Sequence, residues 1–204
     1  MKKFLRVTAA LLAVLLAGAA LLAVNLTAKT APVFAEEPLE PLVGEMMSAM
    51  LTGEEVPITQ GQLNGLLSLL PPEYRESLQG VELTGENTGA VWGKAEIFGR
   101  SCDVRAEVSL SFNSETAELC CTVGAVRVGR VPVPEKLVET VLEERLHGLD
   151  FSGRTIIINS NDAARAALGV DFPVVRGLRC DEHAVYLTPA GTGSLLGGWL
   201  GGNF

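Results

Sequence analysis

Side chains that carry chemistry are scarce in this chain. Its 204 residues include two histidines, His147 and His183, four cysteines, and only 5% aromatics. No Cys-x-x-Cys spacing accompanies the histidines, so a zinc site is not expected. No serine sits in a nucleophile elbow, because Gly193-Ser194 runs on into Leu195-Leu196. The glycine-rich stretch Gly191–Gly202 lacks the lysine and fixed spacing of a phosphate loop. His183 follows Asp181-Glu182 in a turn signal, the pattern of a solvated loop, and His147 ends a helical pattern, where a cation suits the dipole. Glu107 and Glu118 are the carboxylates most able to approach each other across a hairpin, but their neighbours read as a wet surface. The expectation is a protein that is not an enzyme and needs no cofactor or metal.

Clustered positive charge is also missing. All 24 acidic residues lie at or after Glu36, where 12 of the 16 basic residues also lie, so this part carries a net charge of −12. Nucleic acid is bound by concentrated Lys and Arg that displace counterions, and this balance excludes it as a partner. The same balance opposes docking on anionic lipid through overall charge.

A long uncharged run is present instead. Lys2, Lys3 and Arg6 precede Val7–Ala28, 22 residues without a charge. At ~1.5 Å rise per residue such a helix crosses a ~30 Å hydrocarbon core. The preceding positive charges stay inside, which sends the C-terminal bulk outside. The length of the run favours an uncleaved anchor. Val33-Phe34-Ala35, small at the −3 and −1 positions, favours cleavage before Glu36. The chain is thus expected in the cell membrane as a single-pass protein, or secreted if cleaved after Ala35. The four cysteines (Cys102, Cys120, Cys121 and Cys180) then face a compartment where disulfides can form, and their pairing is open.

Downstream, the 169 residues after Ala35 suit one domain. Acidic, proline-containing residues 36–41 read as a short linker. Leu42, Val43, Met46, Met47, Met50 and Leu51 have helical spacing. Val56-Pro57-Ile58 reads as extended. Thr59 and Gln62 form a capping-box signature ahead of Leu63, Leu66, Leu67 and Leu70, and Pro71-Pro72 ends that helix. Val81–Thr84 and Val91–Phe98 flank a turn-rich stretch. Val104, Ala106, Val108, Leu110 and Phe112 alternate with polar residues, as do Ala117, Leu119, Cys121 and Val123 beyond Asn113-Ser114, which predicts an antiparallel hairpin. Val126 and Val128 have the opposite parity, and a β-bulge at Gly124 would absorb the slip. Pro134 opens a helix with Leu137, Val138, Val141, Leu142 and Leu146 on one side. A strand at Thr155–Ile158, a short helix Asp162–Leu168 capped by Asn161, and a hairpin Val174–Leu187 complete the domain. No internal repeat is evident.

One layout gathers these pieces. The stretch from Val56-Pro57-Ile58-Thr59 with Gln62-Leu63-Asn64, through Val126-Arg127-Val128-Gly129-Arg130-Val131-Pro132-Val133-Pro134, to Tyr186-Leu187 resembles the YpmS-type proteins. These are uncharacterised membrane-anchored extracytoplasmic proteins of Gram-positive bacteria. The resemblance covers about two thirds of the chain and implies location and topology, with no catalytic residues. The four cysteines and the glycine-rich apolar tail depart from it.

The expected fold is α+β, a curved antiparallel β-meander packed against amphipathic helices. Residues 1–35 form the signal or anchor, 36–189 the extracytoplasmic domain, and 190–204 a Gly-rich apolar tail. A dry sheet face opposite Leu- and Met-rich helices suggests a groove for a lipid or other apolar ligand. Its candidate lining is Met46, Met50, Leu66, Leu70, Val108, Leu110, Leu119, Val138 and Leu142. The alternative is a membrane-anchored scaffold that contacts another envelope protein through its acidic face or tail.

Overall fold

The computed structural model describes residues 23–70, 72–145, 150–160, 162 and 175–191. Most of the uncharged N-terminal run, His147, the Asn161-capped helix beyond Asp162, and the tail from residue 192 lie outside these. Among the described residues no helix is long and apolar enough to cross a membrane.

The domain mixes antiparallel sheets with a few helices. In chain order it runs α1 (Glu40–Thr52), β1 (Val56–Thr59), α2 (Gln60–Leu67), α3 (Pro72–Arg75), β2 (Leu78–Gly85), β3 (Thr88–Ile97), β4 (Arg100–Asn113) and β5 (Glu118–Val128). It continues with β6 (Val131–Pro132), α4 (Glu135–Arg145), β7 (Asp150–Ser152), β8 (Thr155–Asn159), β9 (Val175–Cys180) and β10 (Ala184–Pro189). The large sheet has the order β2-β3-β4-β5-β8-β7, with β6 paired to β5. A second sheet, β1-β10-β9, takes the expected closing hairpin out of the meander.

Opposed residues of an antiparallel pair share a face. The register therefore defines rows across the large sheet: Val91, Ala106 and Val126; Gly89, Val108 and Val123; Leu110, Cys121 and Ile156; Phe112, Leu119 and Ile158. Every member is apolar. The other face carries Trp92 opposite Arg105, Lys94 opposite Asp103, and Ser109 opposite Thr122. Pairing shifts between Ala106 and Val108, so that Gly124 and Ala125 together oppose Glu107. This bulge keeps Val123 and Val126 on one face although three positions separate them.

Each face of the sheet has a different cover. At the distal end of the dry face, Leu83, Cys180 and Val185 form a core with Leu63, Leu110 and Leu178 packed on it. A second core, Leu42, Ala49, Val56 and Ile58, joins α1 to β1, with Met46 and Leu187 against it. On the opposite face lies the segment that follows the uncharged run. Thr30 and Ala31 N–H groups donate to Asp103 Oδ2 (2.6 and 3.0 Å), and the Phe34 ring meets Trp92 at 6.4 Å between centroids. A Cβ at Gly80 would collide with that Phe34 ring, so glycine there permits the close approach. Glu37 N–H donates to Gly61 O (3.1 Å), and its carboxylate accepts from the Thr59 hydroxyl. Of residues 36–41, expected as a short linker, Glu37 is thus bound to the domain, and so are Thr30, Ala31 and Phe34 before it.

Helix α2 keeps its capping box. Gln62 N–H donates to Thr59 Oγ1 (3.1 Å) and Thr59 N–H to Gln62 Oε1 (2.9 Å). Its packed side differs from the expected leucine stripe, because Gly61, Gln62, Asn64 and Gly65 are buried while Leu66 is exposed. The reason lies in β2, which is the edge strand of the large sheet and has unpaired backbone groups. Asn64 answers them as a strand would: Nδ2 donates to Val81 O (3.1 Å), and Val81 N–H donates to Oδ1 (2.7 Å). Gln60 Oε1 accepts from Leu83 N–H (2.9 Å). Polar satisfaction of a sheet edge decides which side of α2 faces inward.

Candidate functional site

The dry face of the large sheet and helix α4 do not close on each other. Pro134 O accepts from Leu137 and Val138 N–H (3.0 and 3.2 Å), which starts α4 directly after β6 returns along β5. Between helix and sheet lies a groove of about 460 Å³. Ligand pockets typically span 300–1,000 Å³. The wall consists of Val91 from β3, Ala106 and Val108 from β4, Cys121, Val123, Val126 and Val128 from β5, and Ile156 from β8. Val133 and, from α4, Leu137, Val138, Val141 and Leu142 complete it. All thirteen side chains are apolar or thiol, and only Val123 and Val138 are buried. Leu137 and Val141 remain 54% and 47% exposed. The groove is an open trough whose chemistry is that of hydrocarbon.

Cys121 is the one thiol in this wall, and burial raises its pKa, which keeps it protonated and weakly nucleophilic. Cys120, next along β5, belongs to the opposite face in the row of Ser111 and Ile157. Cys102 and Cys180 are buried, and all four cysteines are free. Disulfides, open from the sequence, are not formed.

Of the nine residues expected to line a groove, Val108, Val138 and Leu142 do so together. Leu110 and Leu119 share the dry face further along, where Leu110 packs into the core beneath the second sheet. Met46 lies in the α1–β1 core, and Met50, Leu66 and Leu70 are exposed elsewhere. Ten of the groove residues are missing from the expectation; of these, Val123, Val126 and Val128 were signalled by the alternation of β5 once its bulge is counted. Glu107 lies opposite the bulge and Glu118 opposite Asn113, so the two carboxylates are six register steps apart on the hairpin. At ~3.3 Å per residue this separates them by about 20 Å along the strand. His183 is exposed in the β9–β10 turn, beside Glu182 at 3.4 Å. Among the described residues no three His, Cys, Asp or Glu side chains gather where they could hold a metal.

Comparison with protein-family models, with curated proteins and with solved structures gives no match.

Proposed function

We propose that this chain is a non-enzymatic, membrane-anchored extracytoplasmic protein that binds an acyl chain of a lipid or lipid-linked envelope molecule in the groove beneath α4. The observation that carries the reading is the wall itself: thirteen apolar or thiol side chains around about 460 Å³, with Leu137 and Val141 left wet by the chain's own packing. Soluble domains bury such surface unless something else covers it. Each methylene moved out of water contributes ~0.8 kcal/mol, so roughly eight of them supply about 6 kcal/mol before the costs of immobilisation. An acyl chain needs no polar machinery beyond this. The Val7–Ala28 run and the YpmS-type layout support placement at the outer side of a membrane, where such ligands are at hand.

A photoreactive fatty acid added to the full chain tests the reading. Cross-links are expected on β4, β5 and α4 around Val108, Val123 and Leu142. Ala106→Trp, which fills the groove from its floor, should abolish them while the protein keeps its cooperative melt. Cross-links spread over the Trp92 face, or an unchanged pattern in the filled variant, would end the proposal.

A further inference from the structure

The turn between β3 and β4 has an unusual composition for its geometry. Ile97 pairs with Arg100, so the loop is two residues long, and both have positive φ, Phe98 at 52° and Gly99 at 70°. Such turns favour Asn-Gly or Gly-Gly, and a bulky side chain at the first position is strained. The Phe98 ring meanwhile is 93% exposed. A strained backbone that holds an aromatic ring out into water is a cost without a return inside the domain.

What lies beside the turn supplies the return. Ala23, Leu26 and Thr27, at the outward end of the uncharged run, share a cavity of about 420 Å³ with Ile97, Phe98, Arg100 and Cys102. Asn25 O accepts from Arg130 N–H (2.9 Å), which fixes the β5–β6 turn to the same end. Arg100 thus lies in the cavity wall and the Arg130 backbone is held at Asn25, with Lys29 two residues beyond Thr27 in sequence and Glu96 on the same hairpin. Aromatic rings beside Lys and Arg are the composition of a membrane–water interface.

We propose that the β3–β4 turn is a bilayer-contact element, with Phe98 seated in the lipid interface next to the point where the N-terminal run emerges. The occupant is the same membrane that holds Val7–Ala28, so the inference rests on the anchor reading and is independent of whether the groove is filled. It fixes the domain's orientation. The β4–β5 turn at the other end of β4 stands away from the bilayer, and the Val128–Val133 end of the groove faces it. Ala106, on the groove floor, is six residues from Arg100, about 20 Å along the strand at ~3.3 Å per residue. A lipid leaving the bilayer would meet the groove at that end first.

The test uses the full chain in liposomes of equal phosphatidylcholine and phosphatidylglycerol, brominated near the headgroup. Phe98→Trp adds an indole at the turn, and Glu115→Trp adds one at the far β4–β5 turn, both read against the parent's two tryptophans. The added Phe98→Trp emission is expected to shift to the blue and to lose intensity in brominated lipid, and the Glu115→Trp emission to do neither. A melt of each variant checks the fold. An unquenched Phe98→Trp, or equal quenching of both positions, overturns the proposal. A chain that does not float with the vesicles overturns it together with the anchor reading, whereas loss of fatty-acid cross-links alone would count against only the groove's function.

Discussion

Asp103 shows how one buried charge ties distant parts of the chain together. It is 9% exposed, and burial alone would raise its pKa. The Ala31 and Thr30 N–H donors, the Gln79 amide and the Lys94 charge outweigh burial and hold the carboxyl below its ordinary value. A lowered native pKa means that the charged form is preferred in the folded state. Its stabilisation is complete above the unfolded value of ~3.9 and is lost as pH falls through the native one. Asp103→Asn keeps the shape and removes the charge, so it should cost about 1.5–3 kcal/mol at pH 7. Urea titrations of parent and variant should show that gap narrowing at pH 3. A gap independent of pH would mean that the carboxylate's charge is not what holds residues 30 and 31. The sequence offers little hint of this: Asp103 occupies a wet position in the alternation of β4, and nothing nearby marks it as an acceptor for backbone more than seventy residues away.

Secondary-structure elements were legible where local chemistry agreed with tertiary demand. The Thr59–Gln62 capping box, the alternation of β4, and the parity slip at Gly124 can all be read from short windows, because cap, pleat and bulge are local geometries. The inward side of α2 cannot be read that way. Four leucines suggest one face, but the unpaired backbone of β2 selects Asn64 and Gln60, and only the sheet order reveals that β2 is an edge. The same distinction governs the candidate site: Val108, Val138 and Leu142 follow from periodicity, whereas Met46 and Met50 lie on α1, which packs on the second sheet, and Leu66 and Leu70 are exposed beside the edge strand β2. Helix α4 gives this a quantitative form. Val138 is 7% exposed, while Leu137 and Val141 are wet. Val138→Ala should cost roughly 1–3 kcal/mol as a buried large-to-small change. Leu137→Ala and Val141→Ala should stay within about 0.5 kcal/mol of the parent. Equal costs at all three positions, measured by chemical denaturation of the ligand-free protein, would mean that α4 closes on the sheet and that no open trough exists.

At the scale of the whole molecule, the two readings of the N-terminus have different physical consequences. Cleavage after Ala35 would remove Thr30, Ala31 and Phe34. Asp103 would then be left in a buried site without two of its donors, and the Trp92 ring without its aromatic neighbour. Two charge-assisted hydrogen bonds at about 1.5–3 kcal/mol each, with a partly buried phenyl ring at roughly 1.5 kcal/mol, put the loss on the order of 5 kcal/mol. A typical domain has only about 5–15 kcal/mol in total. A fold that depends on residues 30–34 to this extent favours retaining them, in keeping with the proposed anchor and with residues 30–34 acting as a strap along the domain. The protein produced in its native host is therefore expected to have an intact mass that includes residues 30–35, and a chain beginning at Glu36 to unfold at markedly lower urea. A native mass beginning at Glu36, with full stability, would instead make the strap dispensable and release the domain from the bilayer.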